Sequence, residues 1–165
     1  RFVQAARLHH ADHVVRFTGD CPLAEPEMID VLVRFHLDGG FDYSCNCNPP
    51  TLPDGLDAEV FTRAALEAAW QESRDPFERE HVGPFVVSRP ERFRLGRWMW
   101  ERDLSGLRRT VDEPEDLAFV TRVYEALYPA KPDFGFRDVL ALLAAHPELA
   151  DMNSRFERNE GSRRT

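Results

Sequence analysis

The 165 residues suit a single domain, and the shares of hydrophobic (42%) and charged (30%) residues are typical of a soluble globular protein. A formal net charge of −8 argues against non-specific binding to nucleic acid or to an anionic membrane, and no apolar run approaches the roughly 20 residues that span a bilayer. Cys21, Cys45 and Cys47 lack the spacing of a complete zinc set, so they indicate free thiols and a reducing cytoplasm.

Taken in chain order, the hydrophobic pattern predicts alternating helices and strands. Residues 1–10 are expected to be the end of a helix, and the helix that starts at Pro26 should stop at Gly39-Gly40. The predicted strands are residues 13–17, 41–45, 56–61, 93–100 and 107–111. The remaining predicted helices are residues 63–73, a helix from Asp75-Pro76 that Gly83-Pro84 kinks or ends, a helix from Pro114 to Pro129, and a last one that stops before Pro147.

Local signals support several of these helix starts. Thr62 is a plausible N-cap, and Asp75 followed by Pro76 and Glu78 resembles a capping box. In the helix from Pro114, apolar and aromatic residues at helical spacing predict a stripe made of Leu117, Val120, Thr121, Tyr124, Leu127 and Tyr128.

This order of elements predicts an α/β fold, with a mostly parallel sheet covered on both faces. We expect one domain over residues 1–150 and a polar C-terminal tail over residues 151–165. In sheets of this kind ligands bind beyond the carboxyl ends of the strands, so acidic residues at those ends are candidate site residues.

Asp20 and Asp112 each follow a predicted strand. If the two strands are near neighbours, both carboxylates can bind one Mg²⁺, whose usual ligands are one or two carboxylates together with substrate phosphates. The alternative is local: an Asp after a strand often accepts hydrogen bonds from the backbone of a turn.

A second acidic group comes from the loop and strand that contain Asp54, Asp57 and Glu59. Asp57 and Glu59 would project to the same face of a strand, where a sugar or a metal ion could separate them, although the pattern alone favours a solvated edge strand. Glu80 and His81 can contact a sugar or phosphate, but a lone histidine is more often structural. The arginines Arg63, Arg108 and Arg109 could bind anions, but they are expected to solvate exposed faces.

Several segments in order resemble the spore coat polysaccharide biosynthesis protein F family. They are VVRFTGDCPL, PDGLDAEVF, DPFEREHVGPF, LRRTVDEPEDL and the closing RNEG. Proteins of that family are cytidylyltransferase-like and related to acylneuraminate and 3-deoxy-manno-octulosonate cytidylyltransferases. The resemblance covers nearly all of residues 1–160.

The resemblance implies a nucleotide-diphospho-sugar transferase fold, which is a Rossmann-like three-layer α/β sandwich. It also implies transfer of a nucleotidyl group from a nucleoside triphosphate, with CTP expected, to a sugar with release of pyrophosphate. The catalytic Mg²⁺ would bind Asp20 and Asp112. The residues implied at the substrate site are Thr18, Gly19, Asp54, Gly55, Asp57, Glu59, Glu80 and His81.

One part of the family pattern has no match here. The first strand and the Arg/Ser/Lys-rich loop that wraps the triphosphate are not found, so we expect the sequence to be N-terminally incomplete and its own turnover to be in doubt. An uncovered sheet edge would favour self-association, for instance as a homodimer. The alternatives are a metal-dependent glycosyltransferase that uses a nucleotide-sugar, and a non-catalytic binding paralogue.

Overall fold

The computed structural model describes residues 1–158 and shows a mixed α/β protein. The strands are β1 (His13–Arg16), β2 (Tyr43–Cys45), β3 (Glu59–Thr62) and β4 (Leu95–Arg97). The helices are α1 (Phe2–Leu8), α2 (Pro26–Gly39), α3 (Arg63–Glu72), α4 (Pro76–His81), α5 (Gly83–Val87), α6 (Pro114–Leu127), α7 (Phe136–Ala145) and α8 (Pro147–Asp151). Among the described residues, none of these helices combines the length and apolar character that crossing a membrane requires.

The chain forms two compact units, each assembled from three separate stretches of sequence. The first unit contains residues 1–17, 27–49 and 58–99. The second contains residues 18–26, 50–57 and the chain from Trp100 onward. The four strands all belong to the first unit, and α6, α7 and α8 belong to the second.

The sheet of the first unit has the strand order β1-β3-β2-β4. β3 pairs antiparallel with both β1 and β2, while β2 pairs parallel with β4. β1, β2 and β4 therefore run in the same direction, and β3 is the reversed strand. The predicted α/β fold is confirmed and three of the four strands share one direction, but two of the three strand pairs are antiparallel because β3 is reversed, which the pattern of apolar residues did not reveal.

Alternation along the strands places helices on both faces of this sheet. Tyr43 and Phe61 face a core that includes Ala65 of α3 and Phe85 of α5. The neighbouring Val60 packs on the opposite side, in a cluster with Leu32 of α2. The first unit is therefore a three-layer α/β sandwich, as predicted.

Two predicted helix caps of the first unit are present. The Thr62 hydroxyl accepts the Ala65 N–H at 3.2 Å, and Asp75 Oδ1 accepts the N–H of Phe77 at 2.7 Å. Glu78, however, accepts hydrogen bonds from Ser73 and Arg89, each at 2.9 Å. The carboxylate that a capping box would direct back to Asp75 is therefore used elsewhere.

The core of the second unit joins α6 and α7. The buried apolar residues of α6 are Phe119, Val120 and Val123, whereas Leu117 and Tyr128 of the predicted stripe are more than half exposed. The helical period was therefore right, and the buried face shares Val120 with the predicted stripe but is rotated toward Phe119 and Val123. Apolar spacing alone does not show which face a neighbouring element covers.

The predicted strand at residues 107–111 is wrong. The structure has one isolated parallel bridge there, between Arg108 and Asp54. The predicted strand at residues 93–100 also shortens to Leu95–Arg97. Both segments carry strand-forming residues, but only residues with a hydrogen-bonding neighbour along their length become a ladder.

The predicted polar tail contains residues that pack. Asn153 is buried, and Arg158 donates a hydrogen bond to the carbonyl oxygen of Leu52 at 3.0 Å. Residues 159–165, which include most of the RNEG motif, lie outside the described residues.

Candidate active site: a carboxylate cluster around two arginines

The segment that carries Asp20 belongs to the second unit and runs beside residues 110 and 111. The carbonyl oxygen of Asp20 accepts the N–H of Val111 at 2.9 Å and the hydroxyl of Thr110 at 3.4 Å. Asp20 and Asp112 are therefore carried by adjacent, hydrogen-bonded segments. Asp20 follows β1 by four residues, but residues 107–111 before Asp112 are not a strand, so the two carboxylates do not follow two strands of one sheet as predicted.

The turn around Asp20 is held by its own side chains. The Cys21 thiol lies 3.2 Å from the Thr18 hydroxyl and donates to Asp20 Oδ1 at 3.4 Å. Burial raises the pKa of Cys21 to about 11, so this thiol keeps its proton and remains a donor at neutral pH. The Asp20 side chain is exposed, which leaves it accessible to a ligand.

The end of the same segment is anchored to α7. A carboxylate oxygen of Glu25 accepts the N–H of Phe136, the first residue of that helix. Because the N-terminus of a helix carries unpaired N–H groups and partial positive charge, a carboxylate is a favourable partner there.

Gly55 brings the loop of residues 50–57 against residues 109 and 110. Its φ of 92° lies in the region that only glycine enters readily. A Cβ at this position would lie 2.6 Å from the carbonyl carbon of Arg109. Asp54 fixes the same approach, since its N–H donates to Leu107 at 2.9 Å and its carbonyl accepts the Arg109 N–H at 2.7 Å.

Arg108 connects three carboxylates of the second unit. Its Nη1 donates to Asp54 Oδ2 at 3.0 Å, and its Nη2 donates to Asp112 Oδ2 at 2.9 Å. Its Nε and Nη2 also donate to the two oxygens of Asp116, at 2.9 and 2.8 Å. The bidentate hydrogen bond with Asp116 raises the pKa of Arg108, which stays charged.

Residues 111–116, which have the pattern V-D-x-P-E-D, contain two aspartates with different roles. The Asp112 side chain is 52% exposed, whereas that of Asp116 is 0% exposed. Asp116 accepts hydrogen bonds from Arg108, from Asn153 Nδ2 at 2.8 Å, and from the N–H groups of Asp112 and Glu113. Burial raises the pKa of Asp116, but these hydrogen bonds outweigh it and lower the pKa overall. Asp112 is therefore the aspartate of this motif that a ligand can reach.

Arg158 binds the loop of residues 50–57 from the other end of the chain. It donates to the Asp57 carboxylate and to the Leu52 carbonyl, and its Nε lies 3.8 Å from Asp54 Oδ1. Burial raises the pKa of Asp54, and the two arginines partly offset this. Asp54 and Asp57 are thus held by guanidinium groups, which the sequence analysis did not anticipate.

The cluster as a whole is negatively charged. Two arginines, Arg108 and Arg158, face four carboxylates: Asp54, Asp57, Asp112 and Asp116. Two negative charges therefore remain uncompensated within this group, and Asp112 is the most exposed of the four carboxylates. One divalent cation would balance that excess.

The donor set fits a magnesium ion that binds mainly through water and phosphate. Among residues 1–158, no three His, Cys, Asp or Glu side chains form a group able to enclose a metal. Mg²⁺ commonly binds one or two carboxylates and completes its shell with water and substrate phosphates. Asp20 and Asp112 are exposed carboxylates on bonded segments, and they fit that description.

The remaining predicted site residues belong to the first unit. Glu59 accepts hydrogen bonds from Arg16 and from the Tyr43 hydroxyl, the latter at 2.7 Å. The predicted pairing of Asp57 and Glu59 on one strand face is wrong, because β3 begins at Glu59 and Asp57 belongs to the other unit. Burial is the main reason that the pKa of Tyr43 is strongly raised, so its hydroxyl remains a donor.

Residues 78–81, which have the pattern E-x-E-H, end in a strained turn. Val82 has φ 62° and ψ −54°, an unfavourable conformation for a β-branched residue, and it separates α4 from α5. The break therefore comes one residue before the predicted Gly83-Pro84. A Cβ on Gly83 would lie 2.7 Å from Glu59 Oε1, so this turn packs directly on the Glu59 carboxylate.

Glu80 and His81 precede this turn on the surface of α4. Glu80 is exposed and lies 3.5 Å from the Arg1 guanidinium, while the His81 ring is 4.6 Å from the ring of Phe77. These contacts leave the Glu80 carboxylate accessible.

Sequence reasoning missed most of the residues that hold the site. Arg108 and Arg109 were expected on exposed faces but are buried, and Asn153 and Arg158 were assigned to a polar tail. One signal was available: Asp116 stands three residues after Glu113, which is capping-box spacing, and Asp116 does accept the N–H of Glu113 at 3.0 Å.

The three-layer sandwich of the first unit defines a Rossmann-like α/β protein. Residues 1–139 match the family model described as cytidylyltransferase. The chain therefore belongs to the cytidylyltransferase family, as the sequence motifs predicted.

Individual relatives agree with this assignment. The chain is 32% identical over 156 residues to an uncharacterized protein of Methanocaldococcus jannaschii, a match that covers 93% of this chain and 62% of that protein. It is 28% identical over 159 residues to the spore coat polysaccharide biosynthesis protein SpsF of Bacillus subtilis, covering 91% of this chain and 62% of that protein.

A solved structure shows the same fold. A cytidylyltransferase from Leptospira borgpetersenii superposes with a TM-score of 0.86 at 30% sequence identity. The superposition covers 94% of this chain and 65% of that one. The chain thus spans a little over three fifths of the length of each of these relatives.

Proposed function

We propose that the protein is a cytidylyltransferase that activates a sugar for the synthesis of a surface polysaccharide. The reaction is the in-line attack of a sugar hydroxyl on the α-phosphate of CTP, with release of pyrophosphate and a requirement for Mg²⁺. The supporting observation is the carboxylate cluster of the second unit, which carries excess negative charge and exposes Asp112 beside the Asp20 segment.

A Mg²⁺ ion held by Asp20 and Asp112 would neutralise charge on the phosphates and orient them for attack. Thr18 and Gly19 lie in the same turn as Asp20, and they would border the phosphate or sugar next to the metal. The arginine-bound Asp54 and Asp57 shape the loop that includes Gly55. Glu59, Glu80 and His81 belong to the first unit, and their part in binding the sugar stays a prediction of the family motifs.

The direct test is pyrophosphate release by the full-length protein from each nucleoside triphosphate, with candidate sugars and with or without Mg²⁺. We expect CTP to be preferred and EDTA to abolish the reaction. Asp20→Asn and Asp112→Asn should each lower kcat by about 100-fold or more, because metal-assisted charge stabilisation is worth several kcal/mol.

Asp133→Asn is the matched control, since Asp133 is an exposed aspartate of the second unit outside the cluster. It should leave the rate unchanged. Wild-type release in an Asp20→Asn, Asp112→Asn double variant would exclude the metal assignment, and equal use of UTP or GTP would exclude the preference for CTP.

A further inference from the structure

We propose that Arg108 is a positioning residue that orients the Asp112 carboxylate for a divalent cation. The proposal rests on the proposed function, since it assigns a role to Arg108 at the same metal site. Arg108 is not among the residues that the family motifs assign to that site.

The Arg108 guanidinium is fixed before it reaches Asp112. Its side chain is 8% exposed, and three of its four described hydrogen bonds go to Asp54 and Asp116. Since a guanidinium is planar and its donors are rigidly spaced, these bonds determine where the remaining N–H group of Nη2 points.

Asp116 holds the backbone that carries Asp112. Its Oδ2 accepts the N–H of Asp112 at 3.1 Å and the N–H of Glu113 at 3.0 Å. Asn153 donates to Asp116 Oδ1, and more weakly to the carbonyl of Arg108 at 3.3 Å. The buried Asp116 carboxylate therefore fixes both the backbone at Asp112 and the guanidinium of Arg108.

The consequence at Asp112 is an asymmetric carboxylate. In residues 1–158, the side-chain hydrogen bond to Asp112 engages Oδ2, and Oδ1 stays available on a side chain that is half exposed. Arg108 thus sets the orientation of the side chain without neutralising the cluster, which keeps its excess negative charge. A carboxylate whose second oxygen is hydrogen-bonded is a common arrangement of metal ligands, and loss of such a partner typically lowers metal affinity about 10–100-fold.

The test is Arg108→Lys, which keeps the positive charge but loses the planar guanidinium that donates to three carboxylates at once. Mn²⁺ binding, measured by electron paramagnetic resonance, should weaken about tenfold or more. The Mg²⁺ concentration for half-maximal activity should rise in parallel, and excess Mg²⁺ should restore most of kcat. A purely structural defect would lower the melting temperature without this rescue by Mg²⁺.

Arg122→Lys is the matched control, because Arg122 is an exposed arginine of the second unit paired with Glu125. It should bind Mn²⁺ as the wild type does. Asp112→Asn gives the reference for loss of the ligand itself.

The Mn²⁺ affinities of Asp112→Asn and Arg108→Lys together distinguish three outcomes. Weaker binding in both Asp112→Asn and a folded Arg108→Lys supports the proposal. Weaker binding in Asp112→Asn with wild-type affinity in Arg108→Lys overturns it and leaves the proposed function intact. Wild-type affinity in Asp112→Asn removes the metal assignment and this proposal together.

If Arg108→Lys does not fold, Asn153→Ala replaces it, because that change keeps the guanidinium and all the carboxylates. We expect a smaller loss of Mn²⁺ affinity, about threefold or more. Wild-type affinity in a folded Asn153→Ala protein would then overturn the proposal.

Discussion

Arg108 and Arg109 are adjacent in the sequence and have opposite surroundings. Arg108 binds three carboxylates, whereas Arg109 lies 5.0 Å from the ring of Phe136, and within the described residues its Nε and Nη2 have no hydrogen-bond partner. Burial lowers the pKa of Arg109 to about 10, an effect that the charge of Glu25 opposes. The sequence does not distinguish the two arginines. Only the fold shows that Arg108 forms ion pairs, whereas Arg109 is a buried cation.

His36 makes the stability of the first unit depend on pH. It is fully buried, with Nδ1 3.0 Å from the Ser44 hydroxyl and Nε2 3.1 Å from a ring nitrogen of His13. Burial and the neighbouring His13 lower its pKa from 6.5 to about 4, and Asp42 acts in the opposite direction. The folded protein therefore binds this proton less readily than the unfolded chain does.

The stabilisation that depends on neutral His36 is complete above about pH 6.5 and is lost as the pH falls toward 4. The expected loss is about 3 kcal/mol in the free energy of unfolding. Urea unfolding of His36→Gln at pH 7 and pH 4 should show a pH dependence smaller by that amount than in the wild type.

His146→Gln removes an exposed histidine and is the control for this measurement. Its free energy of unfolding should depend on pH as steeply as that of the wild type. An equally steep slope in His36→Gln would show that other groups cause the acid sensitivity.

At the scale of elements, Gly55 determines whether the loop of residues 50–57 can lie against residues 107–111. Gly55→Ala combines an unfavourable φ with a clash against backbone, so we expect it to lower the free energy of unfolding by about 3 kcal/mol or more. Thermal and urea unfolding of the variant would measure this.

Gly106→Ala is the matched control in the same unit, because a Cβ there has no atom within 4 Å. It should change stability by no more than about 0.5 kcal/mol. Comparable losses of unfolding free energy in the two variants would mean that the close approach at Gly55 does not limit stability.

The elements that the sequence predicts well are those with local causes. The starts of α3 and α4 follow from Thr62 and Asp75, whose side chains act on N–H groups two or three residues away. The strand at residues 107–111 was wrongly predicted, because a strand requires a partner that can come from anywhere in the chain. Asp112 and Asp20 could be proposed from motifs, but their contact with Arg108 and Val111 required the structure.

At the scale of the whole molecule, the second unit depends on the end of the chain. Truncation after Ala150 would remove Asn153 and Arg158, leaving Asp116 and Asp57 without those partners. We expect a loss of about 3–5 kcal/mol in the free energy of unfolding, since removing one member of a buried ionic group exposes the cost of the other.

Urea unfolding of the truncated protein measures this loss, and Asn153→Ala with Arg158→Ala assigns it to the two side chains. The double variant should reproduce most of the effect. A truncated protein with the wild-type midpoint would show that residues 151 onward are a dispensable tail.

Because the second unit is built from separate stretches of the chain, its parts become available on the ribosome in a fixed order. Residues 18–26 and 50–57 are synthesised early, yet their partners Arg108, Val111 and Arg158 all come after residue 107. The loops that carry Asp20 and Asp54 must therefore remain unpaired while more than fifty further residues are added. Nascent chains arrested before Arg108 emerges should thus have a protected first unit and candidate-site loops that proteases still cut.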